Sequence, residues 1–337
     1  MREKNHADLT IVKNCYYCSG DHFAPLYDQV YDRLAVSRES WSFVRCQTCG
    51  AALLSPCPEA EALTRFYPPH YIFSLDKTNA SLRYYIAKLE YLMHFRWVHA
   101  CQARKTMKLI GRPNGKSLRL LDVGCGNGLL LREFQKLGFD VEGIDLRREA
   151  VDHVRTTWGI SAQVMSADQV VTHYPKESFD VITAFHILEH ITDPRDYIVQ
   201  WHTLLKPGGA LILGLPFIDS LQVKLFGANH INITEAPRHV SIPSQQAVRI
   251  LCERSKFEKV IIIPEGSLLI ASLAGLSLFP KGATTYQYAQ TKKWATGVSR
   301  ILMIITTYMI LPVIWAKQHL LRRHRSSAGI VSAFKPT

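Results

Sequence analysis

Four cysteines fall into two pairs, Cys15-Tyr16-Tyr17-Cys18 and Cys46-Gln47-Thr48-Cys49. Two thiolates separated by two residues can grip one tetrahedral ion, and four of them fill its coordination sphere. The pattern predicts a structural zinc site and not a catalytic one. Gly50 follows the second pair, where a tight turn suits glycine; Ser19 stands at the matching place after the first. Cys57, Cys101, Cys125 and Cys252 have no such spacing and read as packing residues. The first residues lack the charged, apolar and small-residue order of a secretory leader, which favours metal over disulfides and a cytoplasmic protein.

A second constellation is Asp122-Val123-Gly124-Cys125-Gly126-Asn127-Gly128. Glycines let the backbone turn sharply and come close to a bulky ligand, because no Cβ stands in the way. A helix starting at such a turn aims free N–H groups and the positive end of its dipole at an anionic group such as a carboxylate. The spacing differs from the GxGxxG of dinucleotide loops. It resembles motif I of the class I S-adenosylmethionine (SAM) dependent methyltransferases. Further segments resemble that family in order: Gly143-Ile144-Asp145-Leu146, Ser166-Ala167-Asp168, Phe179-Asp180-Val181-Ile182 leading to Phe185-His186-Ile187-Leu188-Glu189-His190, and Leu205-Lys206-Pro207-Gly208-Gly209. The resemblance spans about residues 117 to 215. It implies SAM as cofactor, held by Asp122, Gly124, Gly126, Asn127 and Gly128, with Asp145 at the ribose, Ala167 and Asp168 at the adenine, and Leu146 and Phe185 also in the cofactor set.

Methyl transfer from a sulfonium is an in-line displacement. The protein supplies positioning and, for a hydroxyl acceptor, a base. Histidine suits that task near neutral pH, which makes His186, His190 and His239 the candidates. Glu189 could orient His190 or cap a helix. Arg238, beside His239, offers a guanidinium fork that matches a substrate phosphate, or equally a surface ion pair. Cysteine pairs, a Tyr67-Pro68-Pro69-His70-Tyr71 connector and Pro237-Arg238-His239 together resemble a subgroup of these enzymes. That subgroup is linked with bacterial surface-glycan biosynthesis, which implies a saccharide or lipid-linked glycan acceptor; a saccharide hydroxyl is the expected target, with nitrogen and carbon left open as acceptor atoms. RNA is the main alternative acceptor, since basic charge and a zinc module also suit it. A non-catalytic SAM-binding or membrane-docking subunit is a third reading. Against nucleic acid, the fourth strand lacks an Asn/Asp-Pro-Pro-aromatic ending, and the basic residues lie beside apolar runs instead of forming a stripe.

These residues need elements to hold them. Short apolar runs predict strands at Leu118–Val123, Val141–Asp145, Ala162–Met165, Phe179–Ala184, Ala210–Leu215 and Lys259–Pro264, with helices near 128–138, 148–158, 194–205 and 244–255. Alternation of this kind means a parallel sheet covered on both faces. The fold expected is α/β: a Rossmann-like, seven-stranded methyltransferase sheet, preceded by a zinc-ribbon-like module and carrying a helical insertion near its C-terminal end. The divisions are 11–55 for the zinc module, 56–115 for a connector and helix (the helix at 80–110), 116–266 for the core, 267–326 for the insertion and 327–337 for the closing strand. The net charge is +12, yet after Glu265 there is no acidic residue, and nine Lys and Arg follow. Within the insertion, Leu268–Phe279 and Ile301–Trp315 are strongly apolar but short of the roughly 20 residues that span a bilayer, and Pro312 is placed to kink the second. Apolar runs with basic flanks predict a helical hairpin on an anionic membrane surface, core helices or an oligomer interface being the competing reading.

Overall fold

The computed structural model describes residues 9–33, 36–37, 39–67, 82–111, 117–278, 302, 305–316 and 326–337. The chain opens with β1 (Leu9–Thr10), β2 (Phe23–Tyr31), β3 (Ser40–Cys46), β4 (Ala52–Leu54) and β5 (Cys57–Pro58), then α1 (Ala60–Leu63) and the long α2 (Leu82–Ile110). Strands β2, β3 and β4 form an antiparallel sheet. In β3 Trp41 and Phe43 are buried while Ser40, Ser42 and Val44 are exposed or half-buried, the period-two pattern of a sheet with one face covered, which breaks at exposed Arg45 and buried Cys46. The helix expected at 80–110 is present. The apolar spacing of Leu82, Ile86, Leu89 and Met93, the Arg112–Gly115 stop and most of the connector after Tyr67 lie outside the described residues or side chains.

The core follows: β6 (Arg119–Val123), α3 (Leu129–Lys136), β7 (Asp140–Asp145), α4 (Arg148–His153), β8 (Ser161–Val164), α5 (Val170–His173), β9 (Phe179–Phe185), α6 (Arg195–Leu204), β10 (Leu205–Pro216), α7 (Leu221–Phe226), α8 (Ile231–Thr234), β11 (Ser241–Ile242), α9 (Gln245–Arg254), β12 (Glu258–Pro264), α10 (Ser267–Leu278) and β13 (Ala328–Phe334). Across the seven-stranded sheet the order is β12-β13-β10-β9-β6-β7-β8. Strands β6 to β10 run parallel, and β13 enters antiparallel between β10 and β12. Each of the six strands and four helices read from the core sequence is present, as is the closing strand. One boundary moves: the turn read at 205–209 lies inside β10, as a break in register between Leu205 and Ala210 with Gly208 at φ +70°. The chain order reverses beside β6, whose neighbours are β7 and β9. That is the switch point where open α/β sheets bind ligands at their strand ends.

The cysteine module shares a sheet with the core: β11 pairs with β4, Ser241 facing Leu53 and Ile242 facing Ala52. One expectation about the additions is corrected. The apolar run beginning at Leu268 is not half of a membrane hairpin. It forms α10, with Leu268, Ile270, Ala271 and Ala274 buried. The Ile270 carbonyl accepts from Gln222 Nε2 at 3.2 Å, and Ser277 Oγ accepts from the Ile231 N–H at 3.0 Å, which fixes the helix to α7 and α8. A mainly apolar helix buried on several sides is the core alternative that short apolar runs allow. Residues 305–316 are also helical but carry Ile305, Tyr308, Met309, Val313 and Trp315 exposed. Among the described residues no helix is long and apolar enough to cross a membrane.

Candidate active site and cysteine cluster

The glycine loop leaves β6 at the switch point. Gly124 has φ +74°, and a Cβ there would lie 2.1 Å from Ile187 Cδ1. Gly126 has φ +53° and nothing within 4 Å of the place a Cβ would take. The first glycine is dictated by packing beneath the loop. The second leaves open space above it, which is what a backbone built to touch a ligand requires. Asp145, at the end of β7, braces the turn: its Oδ2 accepts from the Gly126 N–H at 3.0 Å and its Oδ1 from the Arg147 N–H at 2.9 Å. Asn127 Oδ1 accepts from the Leu129 N–H at 3.1 Å as α3 begins, and the Asn127 carbonyl accepts from Trp158 Nε1 at 2.8 Å.

Asp122 is buried, and Thr183 Oγ1 donates to it at 2.6 Å. Burial pushes its carboxyl up to about 7, the Thr183 bond opposes this, and the nearby Asp145 charge adds to it. Leu146 is exposed at 71%, Asp168 is exposed, and Ala167 and Phe185 are half-buried. The SAM set read from sequence therefore lies on the strand ends and loops of β6, β7, β8 and β9. An open glycine cradle, a carboxylate at the end of β7 and the start of α3 fit an amino-acid nucleoside such as SAM.

Past β9 the chain turns at His186, whose φ is +56°, with its N–H donating to the Gly214 carbonyl at 2.9 Å. The imidazole lies between two carboxylates, Nδ1 3.3 Å from Glu189 Oε1 and Nε2 3.6 Å from Glu265 Oε1. Burial alone would lower its pKa. The two carboxylates outweigh burial and raise it to about 10. His186 is thus an imidazolium at neutral pH and is not available as a base. Glu189 Oε1 holds His186, and its carboxyl stays below the usual range because the His186 imidazolium outweighs its burial. Glu265 also accepts from Gln102 Nε2 at 3.2 Å, which brings α2 to the site.

His190 and His239 meet edge to face, ring centroids 4.8 Å apart. His190 Nδ1 lies 3.0 Å from the Arg238 carbonyl and 3.0 Å from the Tyr67 hydroxyl. His239 Nδ1 lies 2.8 Å from the Asn232 carbonyl. A carbonyl only accepts, so in both rings Nδ1 carries the proton and Nε2 the lone pair. Burial, and for His190 the neighbouring His239, lower both pKa values, that of His190 to about 4. Both are neutral imidazoles near pH 7.

Arg238 is not a substrate-facing fork. It has no exposed surface, and it donates to Asp32 through Nη1 at 3.1 Å and Nη2 at 2.6 Å, to the Phe66 carbonyl at 3.2 Å and to Glu235 Oε2 at 3.0 Å. Sequence reading offered a phosphate fork or a surface ion pair; the structure shows a buried clamp that joins the first sixty-odd residues to the core. Tyr67, Glu235 and Glu265 belong to this neighbourhood and were missed as site residues. The only signal for Tyr67 was its place at the head of the Tyr-Pro connector.

The four cysteines of the two pairs are buried, and their sulfurs lie within 4.8 Å of one another. Cys15 Sγ is 3.5 Å from Cys49 Sγ, and Cys18 Sγ is 3.5 Å from Cys46 Sγ. A disulfide needs about 2 Å. A tetrahedron of thiolates at about 2.3 Å from zinc has edges of about 3.8 Å. The donor set fits zinc. Ser19 solves the missing glycine by taking φ +58°, the left-handed conformation that Gly50 takes at φ +77° in the other pair.

Residues 94–261 match the family described as a methyltransferase domain. Ubiquinone biosynthesis O-methyltransferases of Colwellia psychrerythraea and Xanthomonas campestris are 36% and 40% identical over 99 and 100 residues, each covering 28% of this chain. The chain spans about two fifths of the length of these curated relatives. The crystal structure of a SAM-dependent methyltransferase from Archaeoglobus fulgidus is 15% identical, covers 74% of this chain and 99% of that one, and superposes with a TM-score of 0.46. With its strand order and glycine loop, the chain carries a class I SAM-dependent methyltransferase domain.

Proposed function

We propose that the chain transfers the methyl group of SAM to a hydroxyl oxygen of a saccharide or lipid-linked glycan precursor. The observation that carries methyl transfer is the open space above Gly126 at the switch point, within the same sheet edge as the His190–His239–Glu189 cluster. Bound SAM supplies an electrophilic methyl carbon. Asp145 and the start of α3 hold the loop, and the neutral histidines and Glu189 form a polar wall on which an acceptor hydroxyl is oriented and relieved of its proton. The naming of the relatives supports oxygen as the acceptor atom. The four cysteines hold one structural zinc ion.

A lipid-linked acceptor is favoured by the exposed apolar face at 305–316, followed in sequence by Lys317, Arg322 and Arg323. The experiment is to incubate the protein with methyl-labelled SAM and a source-cell lysate, then separate RNA, protein, soluble sugar nucleotides, quinone-type lipids and saccharide lipids. Label in saccharide fractions supports the proposal. Label in a quinone-type lipid keeps O-methylation and replaces the acceptor, and label in RNA overturns the acceptor class.

A further inference from the structure

One potential ligand atom from each of Glu189, His190 and His239 lies within 4.8 Å of the others. The three come from two segments tied by backbone, the Val240 N–H donating to the Glu189 carbonyl at 2.9 Å. Three features distinguish the cluster from an ordinary hydrogen-bonded core. First, each imidazole donates Nδ1–H to a main-chain carbonyl, Arg238 for one ring and Asn232 for the other. This fixes the tautomer and leaves both Nε2 lone pairs without a side-chain partner among the described residues. Metal-ligating histidines are oriented in this way, with the second ring nitrogen held by a carbonyl or carboxylate. Second, Glu189 is fully buried, and its Oε2 has no hydrogen-bond partner, while Oε1 is taken by His186. A buried carboxylate oxygen with no donor costs free energy unless something cationic or protic meets it. Third, the edge-to-face contact keeps the two ring centroids 4.8 Å apart, so that both imidazoles border the same small volume.

From this geometry we propose that Glu189, His190 and His239 form a second metal site, distinct from the cysteine cluster, that takes one divalent transition-metal cation. Two imidazoles and one carboxylate select a borderline ion such as Zn2+, Co2+ or Fe2+ over Mg2+ and Ca2+, which favour all-oxygen sets. Ligands on one ion are roughly 3 to 3.5 Å apart at about 2.1 Å bond lengths, so binding draws the three groups together by at most about 2 Å. Three protein ligands leave open positions, the arrangement of a catalytic site and not of a structural one. What the ion does there rests on the methyltransferase reading: bound to an acceptor hydroxyl, it lowers the pKa of that oxygen. That it binds does not rest on that reading.

The test uses the full chain with its cysteine site filled by zinc, confirmed by metal analysis, and titrates in Co2+ while following visible absorption and heat. The expected result is one further ion per chain, with ligand-field bands of nitrogen and oxygen donors and no thiolate charge-transfer band. Affinity should fall at least tenfold in both Glu189→Gln and His239→Ala. Glu189→Gln keeps the shape and the His186 contact, and SAM calorimetry on each variant reports whether the core is folded. If zinc-filled wild type binds SAM but takes up no Co2+, or if both variants bind Co2+ as the wild type does, the site is overturned. If Co2+ binds as described while SAM does not, the metal site stands and the methyltransferase reading fails.

Discussion

The hydroxyl of Tyr17 lies 2.8 Å from that of Ser241, and both residues are fully buried. Tyr17 stands between the first two cysteines, and Ser241 follows His239 by two residues. The same seam carries a bond from Ser244 Oγ to the Cys49 carbonyl, one from Arg254 Nη1 to the Cys18 carbonyl at 2.6 Å, and one from the Leu54 N–H to the Val240 carbonyl at 2.9 Å. The cysteine cluster therefore scaffolds the segment that presents His239, and the two should unfold together. Scanning calorimetry should show one transition shared by module and core. Stripping the metal with a chelator, or Cys46→Ser, should lower that whole transition and not release a separate one. Tyr17→Phe leaves Ser241 buried without this partner and should cost about 1 to 3 kcal/mol in urea unfolding.

Arg238 and Asp32 make a second tie of the same kind, one with a charge at stake. The pair is bidentate, fully buried and 206 residues apart in sequence. Asp32 also accepts from the N–H groups of Val36 and Ser37 at 2.9 and 3.0 Å, so its position is fixed independently. Removing one partner strands the other charge away from water. Arg238→Ala and Asp32→Ala should each destabilise by about 3 to 5 kcal/mol. Arg238→Lys should recover only part, since an ammonium cannot reproduce the fork. In variants that remain folded at low temperature, the acceptor KM should be unchanged. A raised KM with unchanged stability would restore the substrate-binding reading.

The contrast between these residues and the glycine loop shows where sequence reasoning carries. Asp122 to Gly128 and the two cysteine pairs are local: each motif works through spacing along one turn, and the structure keeps that turn. The strands were legible because a sheet covered on both faces needs short apolar runs, such as Ala210 to Leu213 or Val260 to Ile263. The role of Arg238 was not legible, because its partner is set by how β11 docks on β4. The meeting of Glu189 and His190 with His239 depends on a hydrogen bond between main chains 51 residues apart. Tyr17 occupies a place that spacing rules treat as filler, yet it is among the largest fully buried side chains. The run from Leu268 looked like an interfacial helix because composition does not say which partner covers it; α7 and α8 do.

Asp122 should impose a pH dependence on the ligand-free protein. Its folded-state pKa, about 7, lies above the value near 3.9 of an unfolded aspartate. Between those values the folded state binds more protons than the unfolded one, so stability falls as pH rises through this window and levels off above it. The urea midpoint should be higher at pH 5 than at pH 8, and Asp122→Asn should shrink that difference. If wild type and Asp122→Asn change in parallel between the two pH values, the carboxyl is not titrating there.

The helix at 305–316 leads to the last prediction. Tyr308, Met309, Val313 and Trp315 are 57, 73, 67 and 54% exposed. Side chains of this size gain roughly 1.5 to 3 kcal/mol each when fully buried in an apolar phase. Two of them lost from a membrane-seated face should weaken vesicle binding by about 3 kcal/mol, or roughly a hundredfold. Co-sedimentation with vesicles containing anionic lipid should therefore drop sharply for a Met309→Ser, Val313→Ser double variant, while its affinity for SAM stays at the wild-type value. Wild-type binding should also weaken with salt, because the chain after Glu265 carries nine basic residues and no acidic one. Equal binding of wild type and variant would remove this helix as the docking element and, with it, the reason for favouring a lipid-linked acceptor over a soluble one.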